Sequence, residues 1–299
     1  MIKTQKQFIK RIPLNSFKKN VKISKNDVLM VIDMQNDFID RPYIEEVGTF
    51  SRPGKKNTQT IKRCKGKLPT HDSKSIVKSI AKLSNKFRKK DGVIVATRDY
   101  HPIDPEHCSF SIFGEHCVWN TVGSDIVPEI EKEFVSKNKL NKKCHIVFKA
   151  FNHKIDSFGA FPYTKKIGIK RICGCNKNYC PTGWTGSFAS SGKYQRYPNF
   201  FKILGKKYKQ RKNSKKLVSI EKILKKEKVH KKKNSIYICG VLGDFCVLDT
   251  AKTARKAGYK NVYIIIDQIR SLRLVKKNKV IYPTTPKMFT QEAKKNNRF

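Results

Sequence analysis

Four kinds of side chain stand at the ends of apolar segments in this 299-residue chain, where they can do acid–base, metal or nucleophile chemistry. Asp33 closes the run VLMVID. Asp99 and His101 follow GVIVAT, in TRDYHPIDPEHCSF. Lys149 closes HIVFK, and Cys246 follows SIYICG in ICGVLGDFCVLDTA. Taken singly, each has an ordinary reading: a helix cap for Asp33, a surface cation for Lys149, a small buried apolar residue for Cys246. Their joint placement at successive segment ends points instead to a reactive centre. An aspartate, a lysine and a cysteine can supply a proton carrier, a fixed positive charge and a sulfur nucleophile. The D-x-H spacing of Asp99 and His101 on an extended segment turns both side chains to one face, as two ligands of one ion require.

The segments that must position these groups read as strands. Residues Val28–Asp33, Gly92–Thr97, His145–Lys149, Ser235–Gly240 and Asn261–Ile266 are short, rich in Val and Ile and nearly all apolar. Strands covered on both faces have that composition. Between the first two, Ile76, Ile80, Leu83 and Phe87 recur at helical spacing on one face. After the fourth, Val247 to Ala257 reads as a helix closed by Gly258. Alternating strands and helices predict an α/β fold, three layers α/β/α around a central, mainly parallel sheet. In such sheets ligands bind at the carboxyl ends of the strands, where the candidate residues lie.

The charge is set apart from this pattern. The chain has 66 Lys+Arg against 23 Asp+Glu, a formal net charge of +43. Residues 1–25 hold eight basic side chains and no acid, residues 41–65 hold seven against two, and residues 162–235 hold 22 against two. The expected organisation is a basic tail, 1–25, and one domain over 26–299 interrupted by insertions at 41–65 and 162–235. No apolar run is long enough to span a bilayer, and the N-terminus has no secretory-type hydrophobic region. Nine scattered cysteines argue against a disulfide scaffold. A cytoplasmic location is expected, with a nuclear one left open by the lysine runs. Cys173, Cys175 and Cys180 give C-x-C-x4-C, a weak zinc motif without an obvious fourth ligand.

Five blocks resemble the nicotinamidases of the isochorismatase-like cysteine hydrolases, in that family's order. They are VIDMQNDFI, TRDYHPIDPEHCSF, HCVWNTVGSDI (His116–Ile126), VFKAFNHKIDSFGAF (Val147–Phe161) and ICGVLGDFCVLDTAKTARKAGY (Ile238–Tyr259). The resemblance implies a Rossmann-like isochorismatase fold with Asp33, Lys149 and Cys246 as the catalytic residues. It implies metal ligation by Asp99, His101 and His116. His107, eight residues after Asp99, stands where some members carry a further ligand. The backbone N–H groups of Leu242 and Cys246 are implied as the oxyanion hole, with a cis peptide before Leu242. Phe38, Phe113 and Phe245 match positions of the substrate-pocket wall. The sequence departs from the family pattern at Trp119, Asn120, Ala150, Leu242 and Gly243, and Leu242 bears on pocket width.

The activity implied is hydrolysis of nicotinamide to nicotinate and ammonia through a Cys246 thioester, serving NAD salvage. A divalent metal, Zn²⁺ first and Mn²⁺ or Fe²⁺ otherwise, suits one carboxylate and two imidazoles. On physical grounds the start of a helix and Lys149 are expected to favour the Cys246 thiolate. The family also implies a homo-oligomer, and the composition leaves no membrane partner expected. Two other readings are carried forward: an amidase of the same family acting on another small amide, and a nucleic-acid or polyanion binder. The second draws on the basic insertions, including Lys206–Lys216 and His230–Asn234.

Overall fold

Continuous Val/Ile/Leu sequence folds stably as a strand only where both faces are covered, and the first apolar run meets that condition. All five residues of Val28–Ile32 are buried. The computed structural model describes residues 22–50, 58–103, 105, 107, 109–137, 139–151, 156–161, 186–187, 196–197, 218–271, 274–276 and 279–281. In chain order the strands are β1 (Val28–Ile32), β2 (Pro42–Phe50), β3 (Thr58–Lys65), β4 (Val93–Asp99), β5 (Val135–Ser136) and β6 (Lys139–Leu140). They continue with β7 (Cys144–Lys149), β8 (Gly186–Ser187), β9 (Ser235–Val241), β10 (Asn261–Arg270), β11 (Leu274–Lys276) and β12 (Lys279–Ile281). The α-helices are α1 (Lys74–Lys89), α2 (Phe110–Phe113), α3 (Pro128–Phe134), α4 (Ile220–Lys226) and α5 (Leu248–Lys256).

The main sheet has the order β10-β9-β1-β4-β7-β8. Its first five strands pair in parallel, and β8 adds an antiparallel edge on β7. Alternation along β1 divides the core in two. Leu29 and Val31 pack on the side of Ile76, Ile80 and Phe87 from α1 and Ile130 and Phe134 from α3. Val28, Met30 and Ile32 pack on the side of Ile220, Ile223 and Leu224 from α4 and Ala251 and Ala254 from α5. This is the expected three-layer α/β/α arrangement, and each aliphatic side chain so buried contributes about 1.5–3 kcal/mol. The five strands read from the sequence are all present, and α1 buries the face carrying Ile76, Ile80 and Phe87.

Gly240 shows how closely β9 approaches β1. It has φ +110°, and a Cβ there would lie 2.1 Å from the carbonyl oxygen of Ile32 and 2.8 Å from its nitrogen. Both atoms are backbone in a buried strand and cannot swing aside. Gly240→Ala is expected to cost more than about 3 kcal/mol, adding a disfavoured φ to a backbone clash. A lowered urea midpoint with unchanged slope would show it.

Parts of the basic stretches have defined structure. Within 41–65, β2 and β3 pair as an antiparallel hairpin. Within 162–235, α4 buries Ile220, Ile223 and Leu224, β8 pairs with β7, and the exposed Arg196 and Tyr197 contact buried Asp125. Those two side chains hold Asp125 Oδ2, each at 2.8 Å, while buried Arg98 holds Asp125 Oδ1 at 3.1 Å. The tail 1–21, the three cysteines 173, 175 and 180, and the run Lys206–Lys216 lie outside the described residues. Among the described residues no helix is long and apolar enough to cross a membrane.

Candidate active site

Asp33 leaves the end of β1, Asp99 and Lys149 end β4 and β7, and Cys246 follows β9. Parallel pairing brings these four ends to one edge, with Asp99 directly opposite Lys149 in the register. The Lys149 ammonium is completely buried, 2.9 Å from Asp33 Oδ2 and 3.6 Å from Cys246 Sγ. It also donates to Asp99 Oδ1, and at 3.4 Å to the carbonyl of Ser157. Asp33 has φ +47°, and its N–H and Oδ1 are both bonded to the Thr97 hydroxyl, at 3.0 and 2.6 Å.

Burial controls the charges. It raises the Asp33 carboxyl to about 6, against the lowering effect of Lys149 and with a further push from Asp99. Burial opposes the Lys149 charge, but Asp33 and Asp99 hold its pKa well above that of an ordinary lysine. Burial also pushes the Cys246 thiol well above its usual value, with Lys149 pulling the other way. This corrects the expectation of a thiolate favoured by a helix start. Cys246 lies in a π-helical turn, Gly243–Val247, and α5 begins only at Leu248. Burial thus favours the neutral thiol over the thiolate.

Beside this cluster, Asp99, His101 and His116 place one ligand atom each within 4.8 Å of one another, all buried. His116 Nδ1 donates to the Gly114 carbonyl at 2.7 Å, which leaves the Nε2 lone pair facing His101 Nε2 at 3.2 Å. Asp99 Oδ2 lies 3.9 Å from the same His101 nitrogen. Three ligands at about 2.1 Å around one tetrahedral ion stand roughly 3.4 Å apart, so the donor set fits a divalent metal. Burial lowers the pKa of both imidazoles, which keeps them neutral, as ligands must be. Asp33, Asp99 and Cys246 also converge within 4.8 Å, but the Lys149 ammonium already serves as the cation among them.

His107 is buried with its ring centroid 4.7 Å from that of His101, and its Nδ1 accepts the Ser109 N–H at 3.3 Å. It is not among the three residues whose ligand atoms converge within 4.8 Å. Phe38 and Phe113 approach His116 with centroid distances of 5.4 and 6.4 Å. Phe113, Phe245 and Phe158 meet edge to face at 5.4 to 6.0 Å. The Val241–Leu242 peptide is cis, and the Leu242 carbonyl accepts the N–H groups of Phe245 and Val247.

Several residues that shape the site are not among those the sequence singles out. Gln35 brackets the backbone of Asp99, its Oε1 accepting the Asp99 N–H at 2.8 Å and its Nε2 donating to the Asp99 carbonyl at 2.7 Å. Thr97, Phe110 and Phe158 line the groups just described. Asp156 is a further buried carboxyl, raised to about 7 first by burial and then by Asp99. Some departures from the family pattern have a visible role. Trp119 stacks on Tyr100, and Asn120 Oδ1 accepts the Tyr100 hydroxyl at 3.1 Å. Ala150, where the family has glycine, takes φ +54°, with its N–H bonded to Ser157 Oγ.

The architecture is the isochorismatase-like α/β fold. Residues 27–158 match the family model described as the isochorismatase domain. That span carries Asp33, Asp99, His101, His116 and Lys149, and ends before Cys246. The yeast nicotinamidase Pnc1p, solved with the inhibitor nicotinaldehyde, is 21% identical with a TM-score of 0.54, over 91% of this chain and 97% of the other. A nicotinamidase/pyrazinamidase of Acinetobacter baumanii is 18% identical with a TM-score of 0.51, over 93% and 96%. A zinc complex of the pyrazinamidase of Pyrococcus horikoshii is 22% identical with a TM-score of 0.48, over 91% and 98%. No curated protein matches the sequence significantly.

Proposed function

We propose that the protein is a metal-dependent nicotinamidase, hydrolysing nicotinamide to nicotinate and ammonia. The observation that carries this reading is the convergence of Asp33, Lys149 and Cys246 against the Asp99–His101–His116 group. A sulfur nucleophile and its base thus adjoin a position where an aromatic nitrogen ligand can be held. Solved nicotinamidases share the fold. NAD salvage is the role such an activity serves.

In the proposed reaction the Cys246 thiol gives its proton to Asp33 as sulfur attacks the carboxamide carbon. The Leu242 and Cys246 N–H groups receive the developing oxyanion. Asp33 returns the proton to the departing nitrogen, which leaves as ammonia, and a nicotinoyl thioester remains on Cys246. Water, deprotonated by Asp33, attacks the thioester and releases nicotinate with the thiol restored. Phe38, Phe113 and Phe245 flank the ring, with Phe158 behind Phe113 and Phe245. Asp99, His101 and His116 would hold a divalent ion, which would supply Lewis-acid coordination for a pyridine nitrogen. Lys149 remains charged throughout, fixing Asp33 and Asp99.

Purified protein supplied with Zn²⁺, Mn²⁺ or Fe²⁺ should release equimolar ammonia and nicotinate from nicotinamide, and far less from aliphatic amides. Turnover of the aliphatic amides alone would reassign the substrate within the family. Because Asp33 must be ionised to accept the thiol proton, kcat/KM should fall about tenfold per pH unit below about pH 6. The linked stability runs the other way. Asp33's contribution is fully present below its ordinary value of 3.8 and is lost as pH rises through about 6. His116→Ala should lower bound metal, read by elemental analysis after dialysis, by roughly 100-fold in affinity.

A further inference from the structure

We propose that Thr97 is a positioning residue for the reaction, its hydroxyl holding Asp33 so that Oδ2, and not Oδ1, exchanges protons with Cys246. The inference rests on the thiol chemistry read above and adds a residue to it. Asp33 turns out of β1 in the left-handed region, at φ +47°. Two bonds to one hydroxyl hold it there. A backbone N–H can only donate, so Thr97 Oγ1 accepts from Asp33 N at 3.0 Å, and its single proton then goes to Asp33 Oδ1 at 2.6 Å. Both partners are completely buried, and Thr97 is carried on a central strand paired on both sides, so the pair is held rigidly.

The two carboxylate oxygens are thereby made different. Oδ1 receives the hydroxyl and is turned toward β4. Oδ2 faces the Lys149 ammonium at 2.9 Å, and that ammonium lies 3.6 Å from the Cys246 sulfur. Oδ1 is committed to the Thr97 hydroxyl, whereas Oδ2 is the oxygen that shares the Lys149 ammonium with the sulfur. The proton released by Cys246 therefore goes to Oδ2, and returns from there to the leaving nitrogen. Without the hydroxyl, the carboxylate is free to rotate and the Asp33 N–H loses its acceptor.

Valine at position 97 keeps the shape and removes both bonds; serine keeps both bonds and removes only the methyl group. Thr97→Val is expected to lower kcat for nicotinamide about 100-fold with KM within roughly threefold, the cost of misplacing a proton acceptor. Thr97→Ser should retain kcat within about threefold. Alkylation by iodoacetamide, followed on the Cys246 peptide by mass spectrometry, should slow about tenfold in the valine variant and not in the serine variant. Thr97→Ala, which also lacks the hydroxyl, replaces the valine variant if that one does not fold. The proposal is overturned if the hydroxyl-free variant keeps both rates, or if Thr97→Ser is as slow as Thr97→Val. Wild-type protein that alkylates at Cys246 but leaves nicotinamide intact would overturn the substrate reading, while the alkylation comparison still decides the role of Thr97.

Discussion

Replacing Cys246 with alanine should abolish nicotinamide hydrolysis, by at least about 10⁴-fold, while leaving nicotinamide binding nearly unchanged. The argument starts from the state of the thiol. Cys246 is 1% exposed, and burial keeps its proton on, despite Lys149 at 3.6 Å. A neutral thiol is a poor nucleophile, so in the proposed reaction the rate depends on handing that proton to Asp33 as the carbon–sulfur bond forms. Alanine removes the only atom that can make that bond. The aromatic walls and the Asp99–His101–His116 group are untouched, so isothermal titration with nicotinamide should give a Kd within about threefold of wild type. The change removes one sulfur atom, and the melting temperature should move by only a few degrees. Turnover by the alanine variant within tenfold of wild type would remove the thioester from the reaction.

The sheet was legible because its strands are buried on both faces, and sequence shows that as unbroken Val/Ile runs ending in a polar residue. The candidate catalytic side chains stand out for the same reason: Asp33 and Lys149 are conspicuous after such runs. Thr97 was not conspicuous. A threonine inside a strand reads as ordinary β structure, and only the pairing of β4 with β1 shows its hydroxyl meeting Asp33. Gln35 lay in plain view within VIDMQNDF, but its amide serves the backbone of Asp99, 64 residues away. The expected helix start at Cys246 was displaced by the π-helical turn Gly243–Val247, and composition does not encode that local rewinding. In the basic stretch 162–235, lysines hid the helical spacing of Ile220, Ile223 and Leu224, which the fold buries. Lys222, Lys225 and Lys226 lie on the exposed face of that helix, whose other face is core.

Lys149→Met should remove activity by about 10³-fold or more and destabilise the protein by about 3–5 kcal/mol near neutral pH. Methionine matches the lysine stem up to Cε and keeps it packed, so the ammonium is what is lost. Asp33 and Asp99 are then two buried carboxylates without the ammonium that both contact. For Asp33, burial and Asp99 already push the pKa up, and Lys149 is the largest opposing influence. Its removal drives the pKa higher than about 6 and leaves a proton on Asp33 at neutral pH. A protonated carboxyl cannot accept the thiol proton, so the base is lost along with the fixed charge. The stability loss carries a pH signature. A carboxyl with a raised folded-state pKa contributes stability below the unfolded value of 3.8 and loses it as pH rises through the folded value. The gap between wild type and variant in urea denaturation should therefore be larger at pH 8 than at pH 5. Adding Asp33→Asn to Lys149→Met removes one of the stranded carboxylates, and the double variant should recover part of the lost stability at pH 8 without recovering turnover. A gap independent of pH would mean that Lys149 acts through packing, and its contacts with Asp33 and Asp99 would not be what holds the site together.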